Sequence, residues 1–154
     1  MTIRVGHNDD LSELQQLFVD TVKSICKTDY NREQIIAWTS GIENNHRWKD
    51  ILANQFVLVA QENEKITGFC TLDKGNYIDL LYVHKDYQRK GIAYKLYADI
   101  EKEAKRQRQS ELTSDVSKTS KKFFEKVGFK VLQKQTVNVR GVELTNYKMT
   151  KPIE

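Results

Sequence analysis

The chain has 154 residues, of which 39% are hydrophobic and 30% are charged, and its formal net charge is +4 at pH 7. This length and balance predict a single domain over residues 1–154 and exclude a disordered chain. The net charge permits nucleic-acid binding, but much of the excess falls on the surface of one predicted helix. Because no basic stripe with interleaved aromatic residues is visible, no nucleic-acid partner is predicted.

The cysteines and the apolar runs indicate the compartment. The longest apolar runs are too short to cross a bilayer, and the N-terminus begins like a strand rather than a signal peptide, so no membrane partner is predicted. Cys26 and Cys70 are the only cysteines, and they lack the spacing of metal ligands. Two free thiols suit a reducing cytoplasm, and no metal site is predicted.

The first half of the chain predicts one strand, two or three helices and then three antiparallel strands. After a strand at residues 3–5, Asp10 and Glu13 resemble a capping box that starts an amphipathic helix. A second helix is predicted after Asn31 and a third helical piece over residues 47–52. The hydrophobic patterns then predict strands over residues 55–61, 66–72 and 77–83.

The second half predicts a helix, a strand, a helix and two final strands. The long helix covers residues 91–107 and carries an apolar face, and a strand follows at residues 111–116. The next helix, residues 119–126, ends near Gly128, in the position expected of a C-terminal cap. Strands over residues 129–139 and 142–150 are joined by Arg140-Gly141, a tight-turn signal.

The turn before the long helix, Gln88-Arg89-Lys90-Gly91-Ile92-Ala93, joins an apolar strand to an amphipathic helix. The first N–H groups of a helix have no partner within the helix, and the helix dipole adds positive potential there, so an anion can bind. Gly91 lets the backbone approach a ligand because it has no Cβ, and Arg89 and Lys90 add positive charge. The residues alone predict a phosphate or pyrophosphate cradle.

A second informative block is residues 117–129, which ends in Phe123-Phe124-Glu125-Lys126-Val127-Gly128-Phe129. Together with the turn, whose last position is Ala93, it resembles the GNAT superfamily of acyl-CoA-dependent N-acetyltransferases. The turn is similar to the Gln/Arg-x-x-Gly-x-Gly/Ala signature of that family, and the block to its second cofactor-contacting helix with a Gly-Phe ending. The resemblance covers nearly the whole chain. It implies an α/β (α+β) fold: a mixed, mostly antiparallel central sheet, flanked by helices on both faces and splayed between strands four and five.

The resemblance also implies where acetyl-CoA, the expected cosubstrate, would bind. The pyrophosphate would contact N–H groups of residues 88–93, and the pantetheine arm would add like a strand to the open sheet edge at residues 81–83. Ser117 stands where such proteins often carry an asparagine that binds the arm. Phe123 and Phe124 would pack near the arm or in the core. The predicted cofactor-binding residues are Leu81, Tyr82, Val83, Gln88, Arg89, Lys90, Gly91, Ile92, Ala93, Ser117, Phe123 and Phe124.

Direct attack of an amine on acetyl-CoA in a ternary complex requires an amine without its extra proton, donors to the oxyanion and a proton for the thiolate. The family implies that backbone N–H groups of residues 81–83 are the oxyanion donors. Many members carry tyrosine where this chain has Phe124, which cannot donate a proton. Tyr147 and Tyr82 are the candidate acids, although each also suits a half-buried sheet position. Asp79, in an apolar strand, is the candidate base, unless it faces solvent or pairs with a lysine.

Other residues keep two interpretations at this stage. His84 is a second candidate base, although its place in the cradle loop also suits a structural role. Cys26, Tyr30, Trp38 and Trp48 lie in the region that forms the acceptor pocket in the family, and each also suits the core.

The predicted function is N-acetyl transfer from acetyl-CoA to an amine acceptor, either a small molecule or a protein amine. Small amines, amino acids, aminoglycosides and polyamines all stay open. The phenylalanine at position 124 motivates one alternative, a non-catalytic acyl-CoA-binding regulatory module. Dimers are common in similar proteins, so a homodimer also stays open.

Overall fold

The computed structural model describes residues 1–154, and its elements follow the predicted order. The strands are β1 (Thr2–Val5), β2 (Phe56–Glu62), β3 (Lys65–Asp73), β4 (Tyr77–Val83), β5 (Glu111–Ser117), β6 (Lys130–Val139) and β7 (Val142–Pro152). The helices are α1 (Leu11–Ile25), α2 (Arg32–Thr39), α3 (Asn45–Asn54), α4 (Ile92–Arg106) and α5 (Lys121–Lys126). Every predicted element is present, with bounds that differ by a residue or two. No helix combines the length and apolar character that a bilayer crossing requires.

The strands form one sheet in the order β1-β2-β3-β4-β5-β7-β6. All neighbouring strands are antiparallel except β4 and β5, which are parallel and pair only at Tyr77–Thr113 and Ile78–Ser114. Beyond these two pairs the strands diverge, so the second half of β4 has a free edge. The predicted sheet, mixed and mostly antiparallel with a splay between strands four and five, is confirmed.

A bulge interrupts β4 where it leaves β5. The register between β3 and β4 shifts so that Asp79 is the extra residue, with Leu72 opposite Ile78 and Thr71 opposite Leu80. The Leu80 N–H donates to the Thr71 Oγ1 at 3.1 Å. Bulges bend a strand and re-aim its side chains, and this one coincides with the start of the free edge.

Helices cover both faces of the sheet, as predicted. One apolar cluster packs α4 and α5 on one face, with Leu96, Phe124 and Met149 buried in it. The other cluster packs α1, α2 and α3 on the opposite face around Phe18 and Trp48. Since successive side chains of a strand point to opposite faces, the free edge of β4 contributes to both sides.

The start of α1 differs from the prediction. Asp10 makes no capping bond to α1. Instead its carboxylate accepts the His7 N–H at 2.9 Å and two bonds of 2.8 Å from Arg4, which lower the pKa of Asp10. Glu13 accepts the Ile66 N–H of β3 at 2.8 Å. Both carboxylates therefore tie the helix to the sheet, and the capping-box prediction is wrong because tertiary partners take them.

Candidate active site

A cavity of about 670 Å³, which we call the cradle cavity, lies along the free edge of β4 and reaches the start of α4. All but two of the predicted cofactor-binding residues line it: Leu81, Tyr82, Val83, Gln88, Arg89, Gly91, Ile92, Ala93, Ser117 and Phe123. The chain therefore brings together segments that are far apart in sequence around one elongated space.

The wall of this cavity at the start of α4 is built from backbone. Gly91 is the N-cap, with φ +81°, and no side chain caps the helix. The first bond within the helix runs from the Lys95 N–H to the Gly91 carbonyl at 3.1 Å, so the N–H groups of Ile92, Ala93 and Tyr94 have no partner within α4. No acidic side chain lies in this first turn. Free donors and the positive end of the helix dipole suit a phosphate group.

The polar groups of Gln88 and Lys90 contact residues just before the turn and are not free to bind a ligand. The Gln88 amide donates to the carbonyls of Val83 at 2.7 Å and His84 at 3.3 Å, which fixes the turn to the end of β4. The Lys90 ammonium lies 5.0 Å from the ring centroid of Tyr87, and this side chain does not line the cavity. The structure thus does not place Lys90 at the predicted site.

Phe124 is a core residue in the structure. Its side chain is buried, and its ring contacts those of Phe123 and Phe129 in T-shaped geometry, with centroids 5.8 and 5.0 Å away. It lies outside the cradle cavity, whereas Phe123 lines it. Of the two positions predicted for Phe124, beside the arm or in the core, the structure shows the second.

A second cavity of about 270 Å³, the aromatic cavity, lies between the sheet and the segment that carries α2 and α3. Its aromatic lining consists of Tyr30, Trp38, Tyr77, Tyr82 and Phe124, and its charged lining of Arg47, Asp79 and Asp115. The residues shared with the cradle cavity, which we call the junction, are Leu81, Tyr82, Ser117 and Ser120. The two cavities therefore adjoin along the junction.

Asp79 lines the aromatic cavity, but its carboxylate is already engaged. Arg47 donates to both oxygens at 2.9 and 3.2 Å, and the Gln55 amide donates at 2.8 Å. The hydrogen bond to Asp79 raises the pKa of Arg47. The alternative of a paired carboxylate is therefore realised, with an arginine in place of a lysine. A proton on Asp79 would leave Arg47 without its partner, so the ion pair opposes a role as base.

The two candidate acids have different positions. Tyr82 belongs to the junction, and burial raises the pKa of its hydroxyl well above the usual value, which keeps the proton available for donation. Tyr147 lies on the face of the sheet covered by α5, where the Lys121 ammonium is 4.7 Å from its ring centroid. It lines neither cavity. The prediction of Tyr147 as the acid therefore disagrees with its position.

His84 and Trp48 have structural surroundings, whereas Cys26 lines a cavity. The His84 Nδ1 accepts the Asp86 N–H at 3.1 Å, and burial lowers the pKa of the imidazole. Cys26 lines the cradle cavity, but burial raises the pKa of its thiol, which disfavours the nucleophilic thiolate. Trp48 packs against Phe18 with ring centroids 5.6 Å apart. These positions favour the structural interpretation of His84 and Trp48, whereas Cys26 is a cavity wall.

Tyr30 is a site residue that the sequence did not separate from an ordinary core aromatic. Its hydroxyl donates to the Thr145 carbonyl at 2.5 Å and accepts the Lys118 N–H at 3.0 Å, so it joins the ends of β5 and β7. Burial raises the pKa of this hydroxyl. Its partners are distant in sequence, and no local pattern could reveal them.

Asp115 is a second missed residue. It extends from β5 into the aromatic cavity, where its carboxylate accepts the Tyr77 hydroxyl at 2.7 Å and the Gln135 amide at 2.8 Å. In the sequence it is one acid among many within a strand. Only the splay of the sheet lets Asp115 and Asp79 line the same cavity.

A sheet that opens beside a helix N-terminus, with two cavities that adjoin at the opening, is the arrangement of a transferase that brings a phosphate-bearing carrier to an acceptor. The model of the acetyltransferase (GNAT) domain family matches residues 26–151, and the chain therefore belongs to the GNAT acetyltransferases. The resemblance deduced from the two sequence blocks is confirmed. The assignment as an acetyl-CoA-dependent N-acetyltransferase rests on this membership.

Individual relatives agree with the family. The "Uncharacterized N-acetyltransferase YafP" of Escherichia coli K12 is 37% identical over 147 residues, which cover 96% of this chain and 93% of the relative. A crystal structure of a GCN5-related N-acetyltransferase from Rhodopseudomonas palustris superposes with a TM-score of 0.94 at 31% identity, over 98% of this chain and 94% of that one. The PaiA N-acetyltransferase of Thermoplasma acidophilum, solved in complex with coenzyme A, has the same fold, with a TM-score of 0.78 at 20% identity and 99% of both chains covered.

Proposed function

We propose that the protein transfers the acetyl group of acetyl-CoA to an amine in the aromatic cavity, by direct attack within a ternary complex. The observation that carries this proposal is the junction, where the two cavities share Leu81, Tyr82, Ser117 and Ser120. A thioester that enters along the cradle cavity and an amine that enters from the other side would meet there. Such proximity supplies a large part of the rate without an enzyme nucleophile.

The cofactor would be held mainly by backbone groups. The N–H groups at the start of α4 would bind the pyrophosphate, and Arg89 would add positive charge, since it lines the same wall. The free edge of β4 from Leu81 to Val83 would pair with the pantetheine arm, which takes the place of the diverging β5. The Ser117 hydroxyl accepts the Ser120 N–H at 3.2 Å, and its own proton would be donated to the arm.

Two groups of the chain would assist the chemistry at the junction. Backbone N–H groups at the free edge of β4 would stabilise the oxyanion as the new C–N bond forms. The Tyr82 hydroxyl would give its proton to the departing thiolate as the C–S bond breaks. Asp79 stays the predicted base, with the Arg47 ion pair as the feature that opposes it; water in the open aromatic cavity is the other route for the amine proton. The position of Tyr82 at the junction is the feature that favours an enzyme over the alternative of a non-catalytic module.

Two measurements test the proposal. Acetyl-CoA should raise the melting temperature of the purified protein, because a ligand of the native state stabilises it. Release of CoA should then accelerate in the presence of an acceptor from a panel of amines. Absence of the first effect would exclude the cofactor, and its presence without transfer to any amine would favour a regulatory module.

The cellular location and the oligomeric state are also part of the proposal, because family membership does not determine them. The cytoplasm is the proposed location, supported by two buried, unpaired thiols, Cys26 and Cys70. A homodimer stays a prediction, which light scattering on the eluting protein would test directly.

A further inference from the structure

We propose that the acceptor is a small amine that carries a second cationic group, and that Asp115 recognises this second group. The inference rests on the proposed function and deepens it, since it names the substrate class of the aromatic cavity. It starts from the charges that line this cavity, which are those of Arg47, Asp79 and Asp115.

Among the charged side chains of the cavity, only Asp115 has no cationic partner. Arg47 and Asp79 neutralise each other through two hydrogen bonds. The donors to Asp115, the Tyr77 hydroxyl and the Gln135 amide, are both neutral. Lys148 is the cross-strand partner of Asp115 on β7, but the two side chains form no ion pair. The side chains that line the cavity thus carry a net charge of −1, and the Asp115 carboxylate that supplies it is exposed to solvent, where a cationic acceptor can reach it.

Asp115 also has capacity for another ligand. An ionised carboxylate offers about four acceptor positions, and Tyr77 and Gln135 occupy one on each oxygen. The surrounding aromatic rings, which include Tyr77 and Trp38, add a second attraction, because the faces of such rings favour cations. Both properties select for positive charge on the acceptor.

The reacting amine alone does not satisfy this site. Its proton must leave before attack, so its own attraction to a carboxylate is lost as the reaction proceeds. A second cationic group keeps its charge throughout and holds the acceptor in place. Asp115 precedes the junction residue Ser117 by two positions on β5, which corresponds to about 7 Å at the rise of a strand. Roughly four or five methylene groups, with C–C bonds of about 1.5 Å, span that distance.

The same cavity also offers a site for an acceptor with a negative second group, so a test can separate the two preferences. Arg47 uses two of its N–H groups on Asp79, and the others could bind an acceptor carboxylate. A cationic acceptor would meet Asp115, whereas an anionic one would meet Arg47. Three amines of similar length separate these cases: 1,4-diaminobutane, butylamine and 4-aminobutanoate.

The experiment measures kcat/KM of CoA release for these three amines at saturating acetyl-CoA. We expect 1,4-diaminobutane to exceed butylamine about tenfold, as a charge-assisted hydrogen bond would give, and 4-aminobutanoate to be the poorest. Asp115→Asn should bring the ratio of diamine to butylamine close to one. Asp115→Glu, which keeps the charge, should preserve the preference. Asp99→Asn, on the outer surface of α4 and outside both cavities, is the matched control and should leave the ratio unchanged.

Four other results would contradict the inference, and each points to a different error. Equal turnover of diamine and butylamine, or a preference for 4-aminobutanoate, would contradict recognition of a second cation. A preference that survives in Asp115→Asn would assign it to another residue. Stabilisation by acetyl-CoA without transfer to any of the three amines would overturn the substrate class alone, whereas no stabilisation would overturn the proposed function itself. Acetyl-CoA should stabilise all the variants equally, which separates these effects from misfolding.

Discussion

The cradle cavity and the aromatic cavity meet at the junction but are built in different ways. The cradle cavity depends on backbone: the N–H groups at the start of α4, the positive φ of Gly91 and the free edge of β4. The aromatic cavity depends on side chains from distant segments, such as Tyr30, Arg47 and Asp115. Backbone groups suit a cofactor that is always the same, whereas side chains can be exchanged to suit a particular acceptor. This contrast predicts different consequences for substitutions in the two cavities.

The largest effect is expected at the junction itself, with Tyr82→Phe. If the hydroxyl protonates the thiolate, its loss should reduce kcat about 100-fold, within the range for general acids, with both KM values nearly unchanged. Burial raises the pKa of Tyr82, so the donating form persists to higher pH. The wild-type kcat should therefore not decline up to about pH 10, the ordinary tyrosine pKa. A kcat within threefold of wild type would remove Tyr82 from the mechanism.

The next effect concerns the backbone of the cradle cavity, with Gly91→Val. The φ of +81° makes any side chain costly by about 1–2 kcal/mol, and the added atoms would occupy the approach to the free N–H groups. We expect acetyl-CoA affinity to fall tenfold or more, measured by calorimetry. Gly141→Val is the matched control, because its φ is +83° and a Cβ there also meets nothing within 4 Å. Both variants should lose similar stability, and equal losses of affinity would contradict a cradle at Gly91.

A moderate effect is expected in the aromatic cavity, with Asp79→Asn. The change removes the charge that holds Arg47, and charge-assisted bonds contribute about 1.5–3 kcal/mol each. The acceptor KM should rise about tenfold, while the KM for acetyl-CoA stays the same. The acid limb of the pH–rate profile should be lost if Asp79 is the base, and an unchanged limb would assign the amine proton to water. Glu43→Gln, which breaks the exposed ion pair with Arg140, is the control and should have little effect.

The smallest effect is expected for Tyr147→Phe. This half-buried side chain lines neither cavity, and the Lys121 ammonium lies over its ring on the face of the sheet covered by α5. Steady-state kcat and both KM values should change less than about twofold, because the side chain contacts neither the cofactor cavity nor the acceptor cavity. A loss of kcat comparable with that of Tyr82→Phe would show that the hydroxyl reaches the junction after all.

The contrast between the two cavities also explains which features the sequence could predict. A strand, Gly91 and an amphipathic helix form a local sequence pattern. Such a pattern determines local backbone features, here the positive φ of Gly91 and the free N–H groups of the helix start. The order of elements followed from the hydrophobic patterns, and the splay followed from the family resemblance. Even here the motif did not determine single side chains: the Lys90 ammonium lies 5.0 Å from the ring centroid of Tyr87, outside the cavity lining, and Phe124 takes the core position, one of the two predicted for it. Side-chain direction depends on tertiary neighbours that the motif does not contain.

The aromatic cavity was largely invisible in the sequence for a physical reason. Arg47 reaches Asp79 across 32 positions, and Tyr30 reaches Thr145 across 115. No periodicity connects residues at such separations, since only the sheet topology brings them together. Asp79 was noticed because a carboxylate in an apolar strand is unusual, but the unusual feature marked an ion pair and a bulge.

The two residue pairs that join β4 to β5 have a consequence for the cooperativity of unfolding. The sheet consists of two smaller sheets, β1–β4 and β5–β7, whose shared ladder ends where the Ser114 hydroxyl donates to the Ile78 carbonyl at 2.7 Å. The ladder between them is short, and the halves are also joined by a shared apolar cluster, with Leu72 from the first half and Leu112 and Met149 from the second. A cofactor that bonds both to β4 and to Ser117 would add hydrogen bonds across the gap between the strands. Its binding would therefore raise the cooperativity with which the two halves unfold.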